Sequence, residues 1–391
     1  MKIAIYTDDA PISEDKLASG MNRVNTRLFN AIKENITIIA TSSQHVDFTE
    51  DDLDKKLLNK IVHFKENKLF SKILRKISNL LTEYFTFDLD VRFLLHKYNI
   101  INSIIASGST VLFVPLGSNI RAYKRAIYIS DKTKLPLVVY IVDDFLDAAI
   151  LSNDKYGKII CQQNLRKFLH RTNKIFVISE GMQEYLMKNY NINSIVLNLP
   201  FKKKYIVTEK TVKQVLFLGS LSHFYEDGLI ELLEVLTEYN KTIKDDIILR
   251  LTSDKLPHKL EKYKSIVKYS RIQGDENLAI EINKSLFCFI PYSFANKYHN
   301  MVATSFPSKT LECLSYAKHV VVYGPYYSSV VKYFKKNSLQ TYIDVNNKKT
   351  LEEFIKKVDI KDFTISNQYL EIINNYHSFD YIKKTILENI Q

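Results

Sequence analysis

Glycine and proline are scarce, with nine and eight in 391 residues. That excludes collagen-like repeats and long low-complexity linkers. Only three cysteines occur, Cys161, Cys288 and Cys313, far apart and with no C-x-x-C pair. A disulfide framework and a cysteine zinc site are both excluded, and a reducing compartment is expected. The nine histidines have no i, i+4 pairing, so no metal is expected. No apolar run approaches the about 18 residues that span a bilayer. The opening MKIAIYTDDA turns acidic at once, so a signal peptide is not expected. No G-x-G-x-x-G follows the first apolar run, and no phosphate loop or G-x-S-x-G elbow occurs. That weighs against a dehydrogenase, an NTPase and a serine hydrolase.

What is present is a length sufficient for two or three domains and an ordinary globular composition, 46% hydrophobic and 25% charged. The net charge is +12, divided evenly between residues 1–200 and 201–391. Such a balance suits an anionic partner: nucleic acid, a phospholipid surface or a phosphorylated small molecule. A genome-wide bias toward Lys, Asn, Ile and Tyr accounts for it equally well. No basic tail and no nucleic-acid module occurs, so nucleic acid is not the expected partner.

Short continuous apolar runs alternate with helix-period segments. The runs Lys2–Tyr6, Ile36–Ala40, Val111–Val114, Leu137–Val142, Lys174–Ile178 and Ser194–Leu197 fill the first half. After a polar, basic stretch, Pro200–Lys213, the rhythm restarts at Val215–Leu218, Ile247–Leu251, Leu286–Ile290 and His319–Tyr323. Continuous rather than alternating runs mark strands covered on both faces, hence parallel sheets built from βαβ units. The pattern predicts an α/β protein of two doubly wound, Rossmann-like domains facing a central cleft, residues 1–200 and 201–375. A helical C-terminal tail follows, with 376–391 expected to pack back on the first domain. Asn67–Leu81 has apolar residues at i, i+3, i+4 spacing opposite Lys68, Lys72, Arg75 and Lys76. It reads as a basic amphipathic helix, either core-facing or resting on an anionic membrane surface.

Ligands of open α/β sheets bind beyond the carboxyl ends of the strands. The candidates in the first half are therefore Asp8, Asp9 and Gly20 after the first run, and the pair Asp143 and Asp144 after Leu137–Val142. A carboxylate at a strand end can act as a base toward a hydroxyl, while its neighbour caps a helix. The densest signal is Ser305–Tyr323. Pro307 suits a first helical position, and a helix start favours phosphate. Lys309 in the first turn opposes the helix dipole, which points to an anionic ligand. Glu312, one turn on, can accept from ribose hydroxyls. A plain surface ion pair is the competing reading.

FPSKTLECLSYAKHVVVYG (Phe306–Gly324) resembles the donor-site signature P-x-K-x-x-E of bacterial sugar-nucleotide transferases of the GT-B fold. QVLFLGSLSHFYEDGLIELLEVL (Gln214–Leu236), IQGDENLAIEINKSLFCFIPYS (Ile272–Ser293), KIFVISEGMQEYL (Lys174–Leu186) and VVYIVDDF (Val138–Phe145) are similar to further segments of that fold. The resemblance covers most of the chain, with specific motifs in the second half. It implies a metal-independent glycosyltransferase of surface polysaccharide synthesis, cytoplasmic or peripheral on the inner face of the cytoplasmic membrane. It implies a nucleotide-sugar donor, UDP-sugar favoured, and a glycan or lipid-linked acceptor, with no cofactor.

By position, Glu312 would bind the ribose and Lys309 the diphosphate, with Pro307 and Ser308 opening the helix. Gly219 and Ser220 would approach the diphosphate through backbone, and Arg271, Ile272 and Gln273 would lie beside the base. Asp143 or Asp144 would face the acceptor hydroxyl. His223, Lys297, His299 and Thr304 would lie near the sugar or the acceptor. Two departures stand out. Thr304 occupies the first position of the family's Glu-x7-Glu pattern, and no Arg or Lys lies between Gly219 and Asn240. Retention or inversion is open on this basis. A catalytically silent subunit that binds a glycan or a partner enzyme is the alternative.

Overall fold

A computed structural model describes residues 1–13, 20–41, 53–63, 91–219, 221, 223–359 and 367–390. They form two compact units, Met1–Pro200 with Phe379–Gln391, and Phe201–Ser378. The segment Asn67–Leu81 lies outside the described residues, as does Ser220.

The first unit holds seven parallel strands: β1 (Ile3–Thr7), β2 (Ile36–Thr41), β3 (Ile61–His63), β4 (Val111–Leu116), β5 (Leu137–Ile141), β6 (Lys174–Val177) and β7 (Ile195–Val196). Their order is β3-β2-β1-β4-β5-β6-β7. Every residue of β1, β4 and β5 is buried, which is why these segments read as unbroken apolar runs. Ala4, Leu112, Val114, Val139 and Val177 pack with Ile100, Ile104, Tyr123 and Leu165 from the helices. Each large aliphatic side chain buried in this way contributes about 1.5–3 kcal/mol. Local chemistry sets the helix ends. Ser179 Oγ accepts from Met182 N–H at 3.0 Å, and Asn119 Oδ1 accepts from Arg121 N–H at 3.1 Å. The helix Glu180–Tyr190 ends on Asn191 at φ 56°, a left-handed stop that Asn tolerates. The C-terminal helix Phe379–Ile390 packs on the helix Gly20–Ala31. It buries Ile382 and Ile386 fully and pairs Lys383 with Glu34.

The second unit holds six parallel strands: β8 (Val212–Phe217), β9 (Ile248–Leu251), β10 (Val267–Tyr269), β11 (Ser285–Pro291), β12 (Val320–Tyr323) and β13 (Tyr342–Ile343). Their order is β10-β9-β8-β11-β12-β13. Numbered within each unit, the sheets run 3-2-1-4-5-6-7 and 3-2-1-4-5-6, the doubly wound order. The direction of winding reverses between β1 and β4 in one unit and between β8 and β11 in the other. The helix His223–Asn240 packs closely on β11 because Gly228 faces Pro291. A Cβ at Gly228 would lie 2.6 Å from Pro291 Cβ.

The continuous runs of the sequence became strands, and the doubly wound α/β architecture is as expected. The short edge strands β3, β10 and β13 were not anticipated. The polar stretch after Pro200 is irregular up to Thr211, but its last residues, Val212 and Lys213, begin β8. The tail comprises the helices Lys348–Asp359, Asn367–His377 and Phe379–Ile390. No helix among the described residues is long and apolar enough to cross a membrane.

Candidate functional site

In the second unit the winding reversal lies between β8 and β11, and a narrow pocket opens there. Phe217 and Leu218 at the end of β8, Phe289 and Ile290 of β11, and Tyr225 line it, together with Pro307, Lys309, Thr310 and Cys313. Doubly wound sheets leave a ligand crevice at such a reversal. The helix Lys309–Tyr316 therefore brings its first turn to the carboxyl ends of the two central strands.

Gly219 follows β8 with φ +126°, a backbone conformation that L side chains rarely adopt. Among the described residues, a Cβ there would meet nothing within 4 Å. The glycine is required by the turn. Its N–H donates to Thr252 Oγ1 at 3.2 Å. Across the pocket, Thr310 N–H and Leu311 N–H are already turned back onto Pro307 O at 2.9 Å and Ser308 O at 3.3 Å. What the helix start offers an anion is mainly its dipole and the Lys309 ammonium. Lys309 Nζ lies 3.6 Å from Glu312 Oε1, with Glu312 buried and Lys309 a quarter exposed. At 3.6 Å the pair is longer than a charge-assisted hydrogen bond.

The remaining donor-side candidates are placed more loosely. Arg271 and Gln273 are exposed beyond β10, two strands from β8. Arg271 there pairs with Asp254 at 3.2 Å, and Ile272 is half-buried between them. Lys297 Nζ stands 4.8 Å over the Tyr298 ring, and the His299 ring lies 4.1 Å from that of Tyr327. Thr304 is fully buried and donates to Asn300 O at 2.8 Å. The helix that follows Gly219 begins at His223. Its first turn carries Glu226, buried and paired with Lys259 at 2.7 Å. Lys259 is a cation the sequence reading missed. It comes from a separate segment 33 residues on, so no local spacing reveals it.

In the first unit, Asp8 closes β1 at the reversal. It pairs with the buried Arg125, accepts from Tyr6 OH at 3.1 Å and lies 3.5 Å from Asn119 Nδ2. Asp9 is tied through its backbone, its carbonyl accepting from Asn25 Nδ2 at 2.7 Å. Gly20 opens its helix, and a Cβ there would meet nothing within 4 Å among the described residues. Beyond β5, the two neighbouring carboxylates separate. Asp144 is buried and caps the helix Phe145–Leu151, accepting from Asp147 N–H at 2.7 Å. Burial raises its carboxyl to about 6, against the pull of that N–H and of the Tyr185 hydroxyl. Asp143 is half-buried, and burial raises its carboxyl above the ordinary carboxylate range. Neither a cap nor a cation holds it among the described residues, which suits a proton acceptor.

No protein-family model matches the chain, and no curated protein sequence does. Solved structures do match along its whole length. A trehalose-6-phosphate synthase, OtsA, is 9% identical and covers 100% of this chain and 99% of its own, with a TM-score of 0.66. An alpha-glucosyltransferase solved with UDP-glucose and DNA is 14% identical over 100% and 99%, with a TM-score of 0.57. AviGT4, a glycosyltransferase of avilamycin A biosynthesis, is 7% identical over 99% and 96%, with a TM-score of 0.55.

The chain has the GT-B fold.

Within this GT-B chain, Pro307 and Lys309 line the pocket with Leu218, the residue before Gly219, while Ser308 and Glu312 belong to the same helix start without lining it. Arg271 and Gln273 lie outside that pocket. Asp8, Asp9, Gly20, Asp143 and Asp144 belong to the other unit. The His223 side chain lies outside the description.

Proposed function

We propose that the chain is a glycosyltransferase that takes a sugar from a nucleotide-sugar, UDP-sugar by preference. It passes the sugar to a glycan or lipid-linked acceptor in surface polysaccharide synthesis, in the cytoplasm or at the inner face of the membrane. The observation that carries the reading is the pocket at a winding reversal where Lys309, one turn before Glu312, lines the space beside Leu218 at the end of β8. Glu312 takes the ribose hydroxyls. Lys309 and the dipole of its helix stabilise the leaving diphosphate, a preorganised electrostatic role that asks little of the protein at the moment of reaction. In an inverting reaction Asp143 receives the proton of the acceptor hydroxyl. The alpha-glucosyltransferase neighbour solved with UDP-glucose supports the choice of nucleotide.

The test is turnover. Purified protein with UDP-, GDP- and ADP-sugars and a panel of glycan and lipid-linked acceptors should release nucleoside diphosphate in proportion to acceptor. Formation of trehalose 6-phosphate, the product named for one neighbour, is a separate arm. Donor binding without release for any acceptor favours the silent-subunit reading, which the buried Thr304 and the cation-free glycine turn motivate.

A further inference from the structure

Thr310 is fully buried in the first turn of the helix Lys309–Tyr316, and its Oγ1 has no hydrogen-bond partner among the described residues. Other helical threonines of this chain place their hydroxyl on the carbonyl four residues back. Thr237 donates to Leu233 O at 2.7 Å, and Thr385 donates to Tyr381 O at 2.9 Å. For Thr310 the equivalent carbonyl belongs to Phe306, before the helix begins, and no such bond forms. A buried hydroxyl left unmade costs about 1–3 kcal/mol, and a valine of the same shape would avoid the cost.

Thr310 lines the pocket between β8 and β11, where Phe217, Leu218, Tyr225 and Phe289 supply apolar walls. Lys309 beside it supplies the charge. An uncharged, oxygen-sized hydrogen-bonding group in such surroundings matches an alcohol better than a phosphate oxygen, which would seek the ammonium. We infer that Thr310 is a specificity-determining residue whose hydroxyl bonds an alcohol group of the nucleotide-sugar. The inference rests on the donor site proposed above. A site built to pair with a ligand hydroxyl rejects analogues that lack it, because the protein group is then left unpaired.

Calorimetry with UDP, GDP, ADP and their glucose conjugates tests this on wild type, Thr310→Val and Thr310→Ser. Thr310→Val should bind about ten-fold more weakly, the size of one hydrogen bond, with a Tm no lower than wild type. Thr310→Ser keeps the hydroxyl and should bind like wild type even if the valine variant fails to fold. Equal loss on the free nucleotide and its glucose conjugate places the alcohol on the ribose. Loss on the conjugate alone places it on the sugar. Either result supports the inference. Thr310→Val with unchanged affinity for every ligand, or Thr310→Ser with the full ten-fold loss, overturns it and leaves the donor site standing. If wild type binds none of the nucleotides, the donor reading falls and takes the inference with it.

Discussion

Asp144 accepts from Asp147 N–H at 2.7 Å and closes a helix, while its neighbour Asp143 caps nothing and pairs with no cation among the described residues. Two adjacent carboxylates at one strand end thus have separate work. If Asp143 is the base, Asp143→Asn should lower transfer by about 100-fold or more and leave donor affinity unchanged. The acidic limb of kcat/KM should fall at a pH above the ordinary carboxylate range, because burial raises this carboxyl. A rate within two-fold of wild type would remove Asp143 from the mechanism.

Asp144 predicts a stability effect with a definite sign. Burial holds its carboxyl at about 6 in the folded state, above its ordinary value of 3.8. The carboxyl therefore favours the folded state below about pH 4, and that contribution is lost as the pH rises through 6. The full swing is on the order of 3 kcal/mol. Asn caps a helix as well as Asp does, so Asp144→Asn should flatten urea-derived stability between pH 4 and 7. A variant whose pH profile overlays wild type would contradict the assignment.

Gly228 sets the spacing between the helix His223–Asn240 and β11. Gly228→Ala places a methyl 2.6 Å from Pro291 Cβ and should cost about 1–3 kcal/mol through overpacking. Helix propensity alone would favour alanine by about 1 kcal/mol. A stabilised variant in thermal melts would show that the close approach is not real.

Membrane association is tested through Asn67–Leu81. If that segment rests on an anionic surface, wild type should sediment with anionic liposomes and not with neutral ones, and Lys72→Glu with Arg75→Glu should abolish the difference. Equal partitioning to both, or none, favours the core-facing reading of that segment.

Much of the fold was legible because parallel strands buried on both faces leave unbroken apolar runs, as in Val111–Leu116 and Leu286–Ile290. The edge strands were not. β10 is three residues with Lys268 exposed, and β13 is two, too short for any period to register. In the site, Lys309 and Glu312 were legible because one helical turn links them. The Asp8–Arg125 pair spans 117 residues, and only the folded sheet brings it together. The sequence left open which of Asp143 and Asp144 caps the helix. The position of Asp147 N–H decides it, a matter of backbone geometry rather than residue type.

The central claim is that a nucleotide-sugar binds where the Lys309–Glu312 turn meets the end of β8. The most direct measurement is titration calorimetry of UDP-glucose, with GDP- and ADP-glucose as comparators, against wild type, Lys309→Ala and Glu312→Ala. The account predicts saturable binding by wild type, weakened at least about ten-fold in each variant at unchanged Tm. Wild-type affinity retained in both variants would contradict it.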